Sequence, residues 1–346
     1  MVQFRNIENR PQASKDAEAL KSGKLSFARL PVGASVNPDV GTTPIPNKLR
    51  KLLYDELSGY MAEVIQKLRN RQKFSLETGF QIIKKIAAFN HPQDPVLIMA
   101  LHRDDWRQYV ISHPVNVAVF AMKMADHLGF EHRKQVEIGM AGLLHDVGMA
   151  AIPEKILFKQ GRLSSEEIKL FRQRPNFSSN ILRTLDKKYV YLAECAAQVY
   201  ERIDGSGYPR GLKTDEMHEY AQMIGLLDMY ESLIHSRPQR GRWTPFAAVK
   251  EIINSSKNHF NKDYLKALLS IFTAFPIHSY VRLNSDAIGK VIETYPDQPL
   301  RPKTQIIYDS QKRKVLTAKI VSLLEDPLLH IVDSISHKQI RQLTDA

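Results

Sequence analysis

Two short stretches decide how this chain is interpreted: LLHDVGM at residues 143–149 and ERIDGSGYP at residues 201–209. The first places a His-Asp pair, His145 and Asp146, at the end of an apolar helical stripe. Such a pair alone carries no weight, because chance produces about 0.7 pairs in a chain of this length and composition. The order of the two stretches, followed by an acidic segment that begins at Asp228, makes them informative.

The length and composition of the chain indicate a globular protein of two or three domains. Its 346 residues are 43% hydrophobic and 25% charged, which is enough apolar side chain to form a core. No run of about 18 apolar residues occurs, and the N-terminus lacks a signal-peptide core, so we expect a cytoplasmic protein without a membrane span. Because Cys195 is the single cysteine, an intrachain disulfide and a cysteine-built zinc site are excluded.

The chain carries a formal net charge of +12, spread along its length without a block of consecutive cations. Such a field favours anionic partners, namely phosphates, nucleic acid or acidic lipid headgroups, although a soluble protein that is simply basic fits equally well. Nucleic acid is the least favoured of these partners, because no known nucleic-acid-binding module is visible in the sequence.

Composition and periodicity divide the chain into four predicted segments. Residues 1–46 contain several Pro and Gly without a sustained period, which predicts an extended or disordered arm. Residues 47–101 form an N-terminal helical region, residues 102–274 a longer helical domain, and residues 275–346 a β-rich subdomain. The first helix of the N-terminal region carries a long apolar stripe, which could serve either a core or a homodimer interface.

Several local patterns predict where individual elements begin and end. Gly129 is a predicted helix C-cap, and Ser164 and Glu167 form a predicted capping box for a helix that ends at Arg174-Pro175. Further helices are predicted at residues 189–202, 217–235, 245–258 and 262–274. Strands are predicted at residues 280–283, 291–292, 305–308 and 315–323.

The ordered motifs closely resemble the HD-GYP domain family, bacterial phosphodiesterases of the HD superfamily that act on cyclic di-GMP. The resemblance covers about residues 113–272, nearly half of the chain, and its most specific part is the DGSGYP string at residues 204–209. It implies a mainly α fold: a helical HD-GYP domain with an N-terminal helical region and a small C-terminal β subdomain.

The resemblance also implies a metal site. Family enzymes hold two or three metal ions with histidines and carboxylates, and the basic ligand set of the superfamily is present at four positions. These four residues could hold one divalent transition metal, either Fe, Mn or Zn. Pro114 directly follows the first of them and could kink its helix. The four ligand positions are His113, His145, Asp146 and Asp228.

The chain departs from the family at the positions that complete the second and third metal sites. Arg174 stands where the family has a histidine, and Val199 and Tyr200 replace a pair of histidines. Tyr109 replaces an acidic ligand of some members, and Met149 replaces a phosphate-facing lysine. Valine cannot coordinate a metal and arginine stays protonated, so we expect the second and third sites to be lost. The loss of that charge stabilisation implies a rate on the order of a thousand-fold lower.

These departures predict a degenerate HD-GYP protein, a cyclic di-GMP-related signalling or regulatory module with little or no phosphodiesterase activity. The alternative is a metal-dependent phosphodiesterase or phosphohydrolase that uses the four retained ligands. We expect Arg174 to fill the vacated metal position and to pair with Asp146. Protein partners, which in the family include diguanylate cyclase domains, are expected at the glycine-rich loop, and a cyclic dinucleotide or phosphate at nearby arginines. The candidate substrate- or partner-binding residues are Arg174, Tyr200, Arg202, Asp204, Gly205, Gly207, Tyr208, Pro209, Arg237 and Arg240.

Overall fold

The chain folds mainly as α-helices, which are followed by one small antiparallel sheet, as predicted. The computed structural model describes residues 47–88, 95–103, 105–256, 258–272, 275, 277–295, 298–335 and 339–340. The predicted arm of residues 1–46 lies outside the described residues. The helices are α1 Asn47–Arg69, α2 Glu77–Ala87, α3 Pro95–His102, α4 Tyr109–His127, α5 His132–Leu144, α6 Glu154–Leu157, α7 Ser165–Phe171, α8 Arg174–Leu182, α9 Val190–Gln198, α10 Glu219–Ile234, α11 Pro245–Ser256 and α12 Lys262–Ile271. Short 3-10 helices lie at Trp106–Gln108, Val147–Ala151, Lys187–Tyr189 and Thr214–Glu216.

The apolar stripe of α1 is part of the main core. Tyr54, Leu57 and Met61 are fully buried in the same cluster as the apolar residues of α4 and α5. Leu52 is an exception, because 48% of its surface is exposed. Since the stripe is buried within the chain, it gives no support to a homodimer through these helices, which stays a prediction.

Helices α4 and α5 form the centre of the helical part. α4 is buried along most of its length, and it continues past Pro114, which lies inside it. α5 packs closely against α4, since a Cβ atom added at Gly142 would lie 3.0 Å from the Cα atom of Ala118. Gly129 follows α4 in the left-handed conformation, with φ +75°, as its predicted role as a C-terminal cap requires.

The capping box at the start of α7 is confirmed, but the predicted end of this helix is wrong. The Ser164 hydroxyl accepts a hydrogen bond from the Glu167 N–H, and the Glu167 carboxylate accepts one from the Ser164 N–H. α7 ends at Phe171, and Arg174 is the first residue of α8. Because proline fits the first turn of a helix, Pro175 marks the beginning of α8 and not the end of α7.

The four later helices predicted from periodicity are all present. They are α9 to α12, and each is shorter than predicted by one to four residues at one or both ends. None of the helices in the described ranges has the length and apolar character that crossing a bilayer requires.

The C-terminal strands form a five-stranded antiparallel sheet with the order β4-β3-β2-β1-β5. Its apolar face covers a second core cluster, and Phe246 of α11 stacks on Phe275 of that cluster at 4.8 Å between ring centroids. The edge strand β5 was not predicted, because Asp333 and Ser334 interrupt its short apolar pattern. The strands are β1 Tyr280–Leu283, β2 Ile288–Glu293, β3 Lys303–Tyr308, β4 Lys314–Ser322 and β5 Ile331–Ile335.

Candidate functional site

The four residues that the sequence marks as candidate ligands come from three neighbouring parts of the helical core. His113 lies near the start of α4, His145 directly follows α5, and Asp146 comes next in the chain. Asp228 lies in the middle of α10, which packs on α4. All four side chains are buried, because the apolar faces of these helices pack around them.

Asp228 joins the two histidines. Its Oδ1 lies 3.0 Å from His113 Nε2 and 3.3 Å from His145 Nε2. The Nδ1 of His145 donates to the carbonyl of Gly142 (2.7 Å), so Nε2 is the nitrogen of His145 that faces the site. Burial alone would raise the pKa of Asp228, but the hydrogen bonds from the two histidines hold it well below its usual range.

Asp146 has one paired and one unpaired carboxylate oxygen. Oδ2 accepts hydrogen bonds from Arg174 Nη1 at 2.6 Å and from the Tyr200 hydroxyl at 3.2 Å. Oδ1 is buried, and it has no hydrogen-bond partner in the described part of the chain. A buried carboxylate oxygen without a partner is unfavourable unless it meets a donor or a cation.

The geometry around Asp146 fits a metal ion. One ligand atom each from His113, His145 and Asp146 lie within 4.8 Å of one another, and Asp228 approaches both histidines of this group. Two imidazoles and a carboxylate suit iron, manganese or zinc. Because the unpaired Asp146 Oδ1 also requires a cation or donor, these residues fit one divalent transition metal.

Arg174 is a buried positive charge beside Asp146. Its guanidinium lies 4.0 Å from the ring centroid of Phe171 and 4.7 Å from that of Tyr200, and its Nε donates to the Phe171 carbonyl. Burial alone would lower the pKa of Arg174, but the charge of Asp146 raises it above the ordinary value. The pairing of Arg174 with Asp146 that the sequence led us to expect is therefore present.

The other departures from the family pattern are packed or hydrogen-bonded. Val199 and Met149 are completely buried among apolar side chains. Tyr109 donates from its hydroxyl to the carbonyl of Leu157, at 3.4 Å. Among the described residues, the side chains whose ligand atoms lie within 4.8 Å of one another are His113, His145 and Asp146, which we call the metal-type cluster. Asp228 lies beside this cluster and approaches both histidines.

The glycine-rich loop at residues 204–209 is held by Glu201. The buried Glu201 carboxylate accepts hydrogen bonds from the backbone N–H groups of Arg210 (2.6 Å) and Leu212 (3.0 Å). Gly207 is required at the base of the loop, because a Cβ atom there would lie 2.4 Å from the Glu201 Cα atom. The carboxylate therefore fixes the shape of the loop.

Tyr208 connects this loop with the metal-type cluster. Its ring stacks on the ring of Tyr200 at 5.3 Å with 8° between the ring planes, and Tyr200 donates to Asp146. The guanidinium of Arg172 also lies over the ring of Tyr208, 5.4 Å from its centroid. Two stacked aromatic rings therefore connect the loop with Asp146.

The outer part of the loop faces solvent. Asp204 accepts a hydrogen bond from the Ser206 N–H (3.0 Å), and its Oδ2 lies 3.6 Å from His259 Nε2. Gly205 has φ +80°, a left-handed conformation that favours glycine. Pro209 is exposed and follows a cis peptide bond. These residues form a small, well-defined surface.

The other predicted phosphate-binding arginines lie in different environments. Arg202 donates to two backbone carbonyls, and burial lowers its pKa. Arg240 also donates to two carbonyls, and burial lowers its pKa to about 10. Arg237 lies closest to the candidate ligands, because its Nη2 is 3.2 Å from His113 Nδ1 and 3.4 Å from a carboxylate oxygen of Glu231. The structure thus brings Arg174 and Arg237 to the site, and it places Arg202 and Arg240 against backbone.

Glu231 was not predicted from the sequence, although it directly contacts His113. Its Oε2 accepts a hydrogen bond from His113 Nδ1 at 2.5 Å, and the side chain is 2% exposed. Burial alone would lower the pKa of His113, but the charge of Glu231 raises it to about 9. A signal was available, because Glu231 follows Asp228 by three residues, which places both carboxylates on one face of α10.

A cleft of about 210 Å³ opens beside His113 and Glu231. Arg103, Ser112 and Arg237 form part of its wall.

Two family models match this chain. Residues 96–263 match the family described as HD domain, and residues 280–343 match the family described as KOW domain associated with HD domain. The first match contains all four candidate ligands, and the second contains all five strands of the sheet.

Curated relatives and a solved structure are also similar to this chain. The cyclic di-GMP phosphodiesterase PA4108 of Pseudomonas aeruginosa is 25% identical, over 90% of this chain and 76% of its own length. The cyclic di-GMP phosphodiesterase PdeB of Borreliella burgdorferi is 27% identical over 59% of this chain; the chain spans 54% of that relative. The structure of Bd1817, an HDG"Y"P protein from Bdellovibrio bacteriovorus, superposes with a TM-score of 0.55 at 19% identity. The superposition covers 67% of this chain and 74% of the Bd1817 chain, and it shows that the two folds are alike.

A buried group of two histidines and an aspartate between packed helices defines an HD domain. Together with the DGSGYP loop and these relatives, it identifies the subfamily. The chain belongs to the HD-GYP family.

Proposed function

We propose that this chain is a cyclic di-GMP-related signalling or regulatory module that holds one divalent transition metal and hydrolyses cyclic di-GMP slowly or not at all. The observation that carries the proposal is the buried ion pair of Arg174 and Asp146, at 2.6 Å. By resemblance, the family aspartate at this position bridges two metal ions. In this chain a guanidinium already engages one of its oxygens.

Electrostatics supports a single ion. A divalent cation bound at Asp146 Oδ2 would lie close to the Arg174 guanidinium, and at about 4 Å the repulsion would be about 8 kcal/mol at an effective dielectric constant of about 20. Val199 and Tyr200 offer no imidazole that would compensate for this repulsion. Arg174 thus supplies the positive charge that a second ion would supply.

The first metal position keeps its donors. His113, His145 and the unpaired Oδ1 of Asp146 would hold the ion, and Asp228 would complete the set. When bound, such an ion lowers the pKa of a coordinated water and neutralises phosphate charge. Arg237, which lines the cleft beside His113, would attract a phosphate to the same region.

The glycine-rich loop is the proposed partner surface. Asp204 and Pro209 are exposed on it, while Glu201 keeps its backbone in one shape. A diguanylate cyclase domain is the kind of protein partner that the family resemblance favours. The stacked rings of Tyr208 and Tyr200 would then convey partner binding to Asp146.

A second candidate function is a weak metal-dependent phosphodiesterase or phosphohydrolase. The unpaired Oδ1 of Asp146 beside the two histidines favours it, because one bound ion is enough to activate a water. The relatives of this chain that are named as cyclic di-GMP phosphodiesterases favour it too.

One assay separates the two functions. Protein prepared with Mn²⁺ or Fe²⁺ is incubated with cyclic di-GMP, and the linear dinucleotide and GMP are quantified beside an active HD-GYP enzyme. The regulatory module predicts a turnover at least about a thousand-fold below that enzyme, together with measurable binding of cyclic di-GMP or of a partner domain. Turnover comparable with the active enzyme, lost in His145→Ala and Asp146→Ala, would overturn the proposal and establish the second candidate.

A further inference from the structure

A chain of buried hydrogen bonds runs from helix α1 to the candidate ligand His113. The Tyr54 hydroxyl donates to Asn116 Oδ1 at 2.6 Å, and Asn116 Nδ2 donates to Glu231 Oε1 at 2.9 Å. The other oxygen of Glu231 accepts from His113 Nδ1 at 2.5 Å. All four side chains are at most 2% exposed, so water does not compete for these bonds.

The direction of each bond in this chain is fixed by chemistry. The Glu231 carboxylate can only accept, so it must face the amide nitrogen of Asn116 and the protonated Nδ1 of His113. Asn116 therefore turns its oxygen toward Tyr54, and Tyr54 must donate. With Nδ1 protonated, the lone pair of a neutral His113 lies on Nε2, the nitrogen nearest Asp228.

Two other side chains also approach Glu231, but neither takes the place of the hydrogen bonds from Tyr54 through Asn116. His235 Nδ1 lies 3.1 Å from Oε1. Arg237 Nη2 lies 3.4 Å from Oε2 and 3.2 Å from His113 Nδ1, so it adds a fixed positive charge beside both groups. The amide oxygen of Asn116 receives the Tyr54 hydroxyl. Tyr54 is thus the terminal donor: it satisfies the amide oxygen of Asn116 and holds the amide in the orientation that Glu231 requires.

We propose that Tyr54 is a positioning residue for His113: through Asn116 and Glu231 it holds the imidazole with Nδ1 protonated and Nε2 directed at the metal site. Tyr54 precedes the HD match, which begins at residue 96. Helix α1 therefore helps to orient a ligand of the site and also forms part of the core. The effect on metal affinity rests on the proposed function, whereas the effect on the imidazole does not.

The experiment compares two phenylalanine substitutions in the same helix. Tyr54→Phe removes the terminal donor, while Tyr60→Phe removes a buried hydroxyl of α1 that donates to the Ser75 carbonyl at 2.9 Å, away from His113. Two readouts are measured on the full chain after circular dichroism shows that each variant is folded. The first is the Mn²⁺ dissociation constant, and the second is the NMR signal of the His113 Nδ1–H proton in metal-free protein.

Direct outer partners of a metal-bound histidine change affinity by about 10–100-fold, and for Tyr54, which acts through two further residues, we expect about 3–10-fold weaker Mn²⁺ binding. The Nδ1–H signal should shift or broaden in Tyr54→Phe and stay unchanged in Tyr60→Phe. An unchanged affinity and an unchanged signal in Tyr54→Phe would overturn the proposal, and so would equal changes in both variants.

A wild-type protein that takes up no Mn²⁺ would refute the proposed metal site separately. The imidazole signal then decides on Tyr54 by itself. Selective loss in Tyr54→Phe supports the positioning role, and retention contradicts it.

Discussion

Replacing Arg174 with methionine removes a buried cation while keeping much of the apolar volume of the side chain. Asp146 would then keep a single partner, the Tyr200 hydroxyl, for two buried carboxylate oxygens. Removal of one partner from a buried ion pair costs about 3–5 kcal/mol, because the other charge is left uncompensated. We therefore expect the metal-free variant to lose about 3–5 kcal/mol of unfolding free energy.

A bound metal should reduce this loss. An ion at His113, His145 and Asp146 supplies positive charge to the carboxylate in place of Arg174, so the deficit should fall to about 1–2 kcal/mol in saturating Mn²⁺. The matched control is Arg172→Met, two residues earlier, because Arg172 is exposed and lies 5.4 Å from the Tyr208 ring centroid. An exposed cation–π contact contributes about 0.5–1 kcal/mol, with no dependence on metal expected.

Urea unfolding followed by circular dichroism measures both variants and the wild type, in EDTA and in Mn²⁺. An Arg174→Met protein within 1 kcal/mol of the wild type in EDTA would refute the assigned ion pair. A deficit of equal size with and without Mn²⁺ would refute the idea that arginine and metal share one role.

Two further predictions concern the histidine site and the loop. Folding raises the pKa of His113 from 6.5 to about 9. The contribution of protonated His113 to stability is therefore complete below pH 6.5 and is lost as the pH rises through 9. Urea unfolding of the metal-free protein should show about 2 kcal/mol less unfolding free energy at pH 8 than at pH 6. His113→Asn should remove this slope, and a wild-type stability that rises over the same interval would contradict the assignment. Gly207→Ala should destabilise by about 2 kcal/mol or more, because the added Cβ would lie 2.4 Å from Glu201 Cα. Gly241→Ala, where no atom lies within 4 Å of the added Cβ, should change thermal stability little; equal effects of the two would argue against the tight loop.

The sequence predicts those features that depend on local patterns. The capping box of Ser164 and Glu167 and the later helices follow from spacing that a single helix imposes. The metal-type cluster and the pairing of Arg174 with Asp146 could be predicted because these residues stand at positions that the resemblance to the HD-GYP family identifies.

The features that were missed depend on contacts between distant parts of the chain. Tyr54, Asn116 and Glu231 are separated by more than 60 residues at each step, and no local pattern joins them. Arg202 was grouped with Arg174 as a candidate phosphate-binding arginine, and only the packing of the folded chain shows that it donates to backbone carbonyls. The end of α7 was misplaced because a proline marks both helix ends and helix beginnings.

The metal content of the purified protein tests whether Arg174 occupies the place of a second metal ion. Full-length protein prepared with Mn²⁺ or Fe²⁺ is dialysed, and its metal is counted per chain by inductively coupled plasma mass spectrometry, with His145→Ala as the control. We expect one tightly bound ion per chain, lost in His145→Ala. Two tightly bound ions per chain would contradict it, because Arg174 could not then hold the place of the second ion beside Asp146.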